Sequence, residues 1–97
     1  MGQINKVAFI TGANKGIGFE TAKELSASGV HVIIGSRNQA NGEKAVKELA
    51  AKGFETTLLV FDVTKTEDYK KAYDFIEKKF GKLDILVNNG GIIVEGE

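Results

Sequence analysis

Apolar and polar positions alternate along this chain with two different periods. Val7-Ala8-Phe9-Ile10, Val30 to Ile34, Leu58 to Phe61 and Leu83 to Val87 are short, nearly continuous apolar runs. Runs without polar alternation predict strands buried on both faces, the habit of a parallel sheet. Three segments between them carry helical spacing. Ile17, Ala22 and Leu25 fall near one face of the first, and Ala45, Val46, Leu49 and Ala50 near one face of the second. In the third, Tyr69, Ala72, Tyr73, Ile76 and Phe80 follow the i, i+3/i+4, i+7 stripe, which predicts core packing.

Local signals mark the helix ends. Gly29, Gly53 and Gly81 each follow a helical segment, where a left-handed residue is required and glycine adopts it without strain. Thr64 with Glu67 three residues on predicts a capping box ahead of the third helix, and Asn38 a cap for the second. The order is β-α-β-α-β-α-β, with no proline and no internal linker or repeat. Right-handed crossovers leave few topologies for such a chain. The expected fold is a single α/β domain over residues 1–97, a Rossmann-type doubly wound parallel sheet of four strands in the order 3-2-1-4 with three helices. Reversing direction after the third strand sends the third helix to the face opposite the other two. A ligand crevice then opens at the carboxyl ends of the first and fourth strands.

Thr11-Gly12-Ala13-Asn14-Lys15-Gly16-Ile17-Gly18 lies between the first strand and the first helix. A helix N-terminus offers unpaired N–H groups and partial positive charge, a seat for a pyrophosphate. Gly12 is expected to make the turn out of the strand, Gly16 to admit phosphates close to the backbone, and Gly18 to let helix and strand pack tightly. Glycines also serve βα turns that hold no ligand. The spacing is not that of a P-loop, because Lys15 precedes Gly16 and no Lys-Ser/Thr pair follows.

T-G-x-x-x-G-x-G resembles the fingerprint of the short-chain dehydrogenase/reductase family. Asp62-Val63, after the third strand, resembles the family's adenine-contacting pair, although Asp62 also suits the start of a helix. Asn88-Asn89-Gly90-Gly91 resembles the family's N-N-A-G, with Gly90 in place of the usual Ala. The resemblance covers nearly the whole chain and implies a nicotinamide dinucleotide as ligand. The cofactor contacts it implies are Gly12, Asn14, Lys15, Gly16, Ile17 and Gly18 in the loop; Ser36, Arg37 and Asn38 after the second strand; Asp62 and Val63; and Asn89, Gly90 and Gly91.

The end of the second strand selects the cofactor. An acid there accepts from the adenosine ribose hydroxyls and repels a 2′-phosphate. Ser36 stands at that position, and Arg37 follows with a planar fork of donors suited to phosphate. With Lys15 as a second cation, this pairing is similar to NADP(H)-preferring family members, carbonyl reductases in particular. Each cation alone also reads as a solvated surface charge.

The family's catalytic Ser, Tyr and Lys follow the N-N-A-G segment, and the sequence ends at Glu97, so no catalytic residue is assigned. Tyr73 is followed four residues later by Glu77, not by Lys. The expected function is the cofactor-binding portion of an NADP(H)-dependent oxidoreductase that reduces a carbonyl or oxidises an alcohol in its intact form. A non-catalytic NADP(H) sensor module and a truncated folding unit without activity are the alternatives.

Composition narrows the partners. Thirteen basic residues balance thirteen acidic ones, which leaves no field to gather nucleic acid or anionic membrane. Cysteine is absent, and the single histidine, His31, makes a poor metal site. Without a signal peptide or a spanning apolar run, the chain is expected to be cytoplasmic. The fourth strand, internal in whole family members, is expected to form an open edge that self-associates, with Ile92-Ile93-Val94 joining the contact. Side chains among Val7 to Ile10 and Ile85 to Val87 are then expected to be partly wet.

Overall fold

A computed structural model describes residues 6–89. The elements are β1 (Val7–Thr11), α1 (Gly16–Ala27), β2 (His31–Ser36), α2 (Gln39–Ala51), β3 (Thr56–Val60), α3 (Thr66–Phe80) and β4 (Ile85–Asn88). The four strands form one parallel sheet in the order β3-β2-β1-β4, as the apolar runs and crossover handedness predict. β1 lies central and is buried along its whole length.

Side chains alternate across a strand, and that alternation sorts the core into two layers. Ile10, Val32 and Ile34 pack with Ala22 of α1 and with Ala45 and Leu49 of α2. Val7, Phe9 and Ile33 face the other way and pack with Phe61 and with Ala72 and Ile76 of α3. Two helices cover one face and α3 the other. Gly35 sits opposite Thr11 on β2; a Cβ there would stand 2.8 Å from Phe9 Cε1 and 2.9 Å from the Ile10 carbonyl oxygen. The missing side chain makes room for the Phe9 ring.

Gly29, Gly53 and Gly81 all take positive φ at the helix ends, and Asn38 caps α2 by accepting from the Asn41 N–H at 2.9 Å. The capping box at Thr64 does not form. The Asp62 carboxylate, two residues earlier, captures both the Thr64 N–H at 2.9 Å and its hydroxyl at 2.7 Å. Thr64 is thereby held in a turn, and the helix starts after Lys65, whose side chain makes no cap.

The expected apolar stripes also need correction. Ile17 is 76% exposed and Tyr73 70% exposed. On α3 the inward face instead runs through Ala72, Phe75, Ile76 and Phe80. Ala50 of α2 is exposed as well. The strands shift by a residue or two: β3 starts at Thr56 because its ladder begins opposite Val32, and β4 starts at Ile85, opposite Ala8.

Asp84 ties the two strands at their start. The Val7 N–H donates to Asp84 Oδ2 at 2.8 Å, and the Asp84 N–H donates to the Val7 carbonyl at 2.9 Å. The Val7 N–H, with help from nearby Lys82, holds the Asp84 carboxyl below the usual carboxylate range. Val7 to Ile10 are buried, contrary to the expected wetting, because α3 and α1 together cover both faces of β1. On β4 the expectation holds in part. Val87 packs against the α1 layer, whereas Leu86, opposite Phe9 on the α3 side, is 62% exposed. Ile92, Ile93 and Val94 lie outside the described residues.

His31, at the start of β2, shares a 2.8 Å hydrogen bond between Nε2 and the Thr57 hydroxyl and packs its ring 4.9 Å from that of Phe80. Burial lowers its pKa below the ordinary 6.5; Glu55 pulls it back up and Lys79 pushes it further down. The unfolded chain therefore takes up a proton before the folded one does. The stability that His31 contributes is complete above about 6.5 and is lost as the pH falls through the folded pKa. The Asp84 carboxyl, held below the usual carboxylate range, titrates below this window. Thermal melts should show a midpoint that falls on acidification between about pH 7.5 and 5.5, and His31→Gln should flatten that slope. An equal slope in the variant would remove His31 as its cause.

Candidate functional site

The loop from β1 into α1 reverses direction on two left-handed glycines, Gly12 and Gly16, each at φ 64°. Nothing lies within 4 Å of where a Gly16 Cβ would stand, so its backbone faces open space. Lys15 caps α1 in an extended conformation without a side-chain hydrogen bond, and the first turn holds no acidic residue. The N–H groups of that turn therefore receive no side-chain cap from the N-cap residue.

Gly18 serves the opposite need. A Cβ there would come within 2.6 Å of both the Gly12 carbonyl oxygen and Asn89 Nδ2, and 3.1 Å from Ala13 Cα. The close approach it permits is between the helix, its own loop and the end of β4, a tighter knot than the helix–strand packing expected. The loop is anchored on both sides. The Ala13 N–H donates to the Gly35 carbonyl at 3.0 Å. The Thr11 hydroxyl accepts from the Asn89 N–H at 2.9 Å and lies 3.2 Å from Asn88 Oδ1 as donor. Asn89 Nδ2 reaches the Gly12 carbonyl at 3.4 Å.

At the end of β2, Ser36 is buried and its hydroxyl donates to the Asn38 carbonyl at 2.8 Å. That bond closes the turn which presents Arg37 to solvent. At the end of β3, Phe61 is buried edge-on between Phe9 at 5.2 Å and Tyr69 at 5.0 Å, and the Tyr69 hydroxyl donates to the Val63 carbonyl. The Thr64 hydroxyl and N–H, with Arg37 and Lys65 nearby, hold the Asp62 carboxyl below its ordinary value. Asp62 Oδ1 is thus engaged within its own turn, the helix-start role left open above.

These strand ends enclose a groove of about 580 Å³ lined by Gly12, Asn14, Lys15, Gly16, Ser36, Arg37, Asn38, Asn41, Phe61, Val63 and Asn89. Two cations and no carboxylate line it. A site of this size suits a small-molecule ligand. Ile17 lies outside the groove, lining a neighbouring depression with Phe19 and Glu20, and Gly18 and Asp62 are not part of the lining. Gly90 and Gly91 lie outside the described residues. The sequence reading missed Asn41 and Phe61. Asn41 is one helical turn from the cap at Asn38, and Phe61 closes the third apolar run; both places face the sheet's carboxyl end. Among the described residues no cluster of three His, Cys, Asp or Glu side chains is placed to hold a metal ion, and no helix is long and apolar enough to cross a membrane.

A glycine turn opening onto a bare helix end, at the point where strand order reverses, defines the cofactor-binding region of a doubly wound α/β oxidoreductase. Comparison with known proteins places it more closely: the short chain dehydrogenase family profile matches residues 6–97, and the chain belongs to that family. It is 46% identical over 90 residues to short-chain dehydrogenase/reductase 1 of Saponaria officinalis, covering 90% of this chain and 30% of that protein. It is 39% identical over 94 residues to carbonyl reductase [NADPH] 3 of Rattus norvegicus, covering 95% of this chain and 34% of the relative. The solved structure of salutaridine reductase from Papaver somniferum superposes with a TM-score of 0.87 at 42% identity, over 91% of this chain and 31% of that one. The chain therefore spans about a third of the length of these relatives.

The two loop glycines should answer differently to substitution. Gly16→Ala meets no neighbour and carries only the left-handed backbone penalty, about 1–2 kcal/mol. Gly18→Ala drives a methyl into a backbone carbonyl and should cost about 1–3 kcal/mol by overpacking while separating the loop from Asn89. Urea unfolding gives the two losses, and the amide shift of Asn89 should move in Gly18→Ala alone. Equal Asn89 shifts in both variants would contradict this division of roles.

Proposed function

We propose that this chain binds NADP(H), seating the pyrophosphate on the N-terminus of α1 and the adenosine 2′-phosphate between Lys15 and Arg37. The observation that carries the reading is the groove itself: both cations line it together with the open Gly16 backbone, and no carboxylate does. Ser36, with its hydroxyl turned onto Asn38, offers no charge to repel a phosphate. Phe61 and Val63 give the groove an apolar wall against which an adenine ring packs, and Asn38 and Asn41 add polar groups at its rim. The rat relative is by name an NADPH-dependent carbonyl reductase, which agrees with this choice of cofactor.

In the whole protein the reaction is the reduction of a carbonyl or its reverse. A dinucleotide held by these residues would supply or accept the hydride. The residues of this chain hold it and orient it by its adenosine end. The proton donor belongs to the part of the family sequence that follows.

A charge-assisted hydrogen bond nets about 1.5–3 kcal/mol, so 2′,5′-ADP should bind roughly 10- to 150-fold more tightly than 5′-AMP. Arg37→Asp should erase or invert the preference. Equal affinities for the two nucleotides in calorimetric titration of the unsubstituted chain would refute the NADP(H) assignment.

Self-association through β4 belongs to the same reading of the 97-residue chain. Leu86 on that strand stands exposed, and an apolar strand edge is a template for a second copy. Sedimentation should show a dimer or larger species that Leu86→Lys weakens. A compact monomer at micromolar concentration would dispose of the proposal.

A further inference from the structure

The residues that wall the groove at the end of β3 are held from behind by two successive residues of α3. The Asp62 N–H donates to Asp68 Oδ2 at 2.9 Å, and the Tyr69 hydroxyl donates to the Val63 carbonyl at 3.0 Å. The Tyr69 ring also meets Phe61 edge-on, with centroids 5.0 Å apart and planes at 86°. Phe61 and Val63 both line the groove, and Tyr69 is outside the lining. One side chain beyond the groove thus touches both apolar residues of its wall.

The turn between β3 and α3 is closed on itself. Asp62 Oδ1 accepts from the Thr64 N–H and hydroxyl, and the Lys65 N–H donates to the Asp62 carbonyl at 3.0 Å. Such a turn moves as a unit, so its position is decided by the bonds that leave it. On the sheet side the Phe61 N–H donates to the Ser36 carbonyl at 2.9 Å. On the helix side, Asp68 fixes the residue next to the strand, and Tyr69 reaches one residue further, to the carbonyl of the groove residue itself. Tyr69 is 46% exposed. A hydrogen bond there replaces one to water and adds little to global stability. Packing accounts for the ring, which a phenylalanine would match, but not for the hydroxyl.

We propose that Tyr69 is a positioning residue of the nucleotide groove: its hydroxyl fixes Val63 and its ring edge fixes Phe61, which readies the wall for the base. The effect on binding rests on the function proposed above; the hold on the wall does not. A wall ordered in advance spares the ligand the cost of ordering it. Without the hydroxyl, the Val63 carbonyl turns to water and the wall takes several placements, of which few present a continuous apolar face. The glycine loop and the turn that carries Arg37 are anchored by other bonds and keep their places.

The test compares Tyr69→Phe, which keeps the ring and removes the hydroxyl, with Tyr73→Phe one turn along the same helix, where the ring is 70% exposed. In calorimetric titration, Tyr69→Phe should weaken 5′-AMP and 2′,5′-ADP by the same factor, about three- to tenfold. The ratio between the two nucleotides and the urea midpoint should stay unchanged, and Tyr73→Phe should alter neither affinity. A purely structural role would lower the urea midpoint and leave the affinity of the folded chain alone. Unchanged 5′-AMP affinity in Tyr69→Phe, or an equal loss in Tyr73→Phe, would overturn the effect on the base. Amide signals of Phe61, Val63 and Thr64 should shift in Tyr69→Phe while those of Gly12 and Gly16 stay in place. Unmoved signals along the wall would overturn the hold. An unsubstituted chain that binds neither nucleotide overturns the proposed function and the effect on the base with it, while the amide signals still decide the hold.

Discussion

The mouth of the groove depends on one close approach: the end of β4 against the glycine loop that leaves β1. Thr11 closes a central strand, and its hydroxyl receives the Asn89 N–H at 2.9 Å. That bond fixes where the fourth strand stops, and it puts the Asn89 side chain over Gly12 and Gly18 with no room for a methyl group between them. If the contact opened, the loop would lose its brace on one side and keep only the Ala13 bond to β2 on the other. The glycine loop is therefore held from both neighbours of β1, which is possible only because β1 lies between β2 and β4 in the sheet.

A second chain of contacts runs beneath it. Gly35 lacks the side chain that would collide with Phe9; Phe9 supports Phe61 edge-on; Phe61 in turn meets Tyr69 of α3. Edge-to-face aromatic pairs add about 0.5–1.5 kcal/mol beyond the area they bury, enough to favour one arrangement of the groove floor over others. The glycine on β2 and the helix on the far face thus shape the same apolar wall. The polar side of the groove is independent of this ladder. It is set by the Ser36 hydroxyl and the Asn38 cap, which together orient the turn that carries Arg37.

Nearly all of the architecture was legible in the linear pattern, because burial on both sides of a parallel sheet writes itself as apolar runs and because left-handed helix ends demand glycine. The three helix-stop glycines and the Asn38 cap are of this kind. The places where the pattern misled are those where a neighbour distant in space or a local competitor decided. Ile17 continues a helical spacing yet stands exposed, beside Glu20 in an open depression, while its neighbour Gly18 packs inward against Gly12 and Asn89. Tyr73 falls on the stripe by count, but α3 turns the face of Ala72, Phe75 and Ile76 to the sheet. At Thr64, a carboxylate two residues upstream took the N–H that a capping box would give to Glu67, and the hydroxyl as well.

Sequence by itself determined the strand order, the glycine loop, the pairing of Lys15 with Arg37 and the lack of an acid at Ser36, because each is a matter of residue type at a place set by local periodicity. Only the tertiary structure decided which of these residues share a groove. It brought in Asn41 and Phe61, left Asp62 and Gly18 out of the lining, and gave Asn89 its place over the loop. The reason is the same throughout: sequence spacing specifies the direction of a side chain along its own element, whereas contact across elements depends on sheet register and twist, which no single segment encodes.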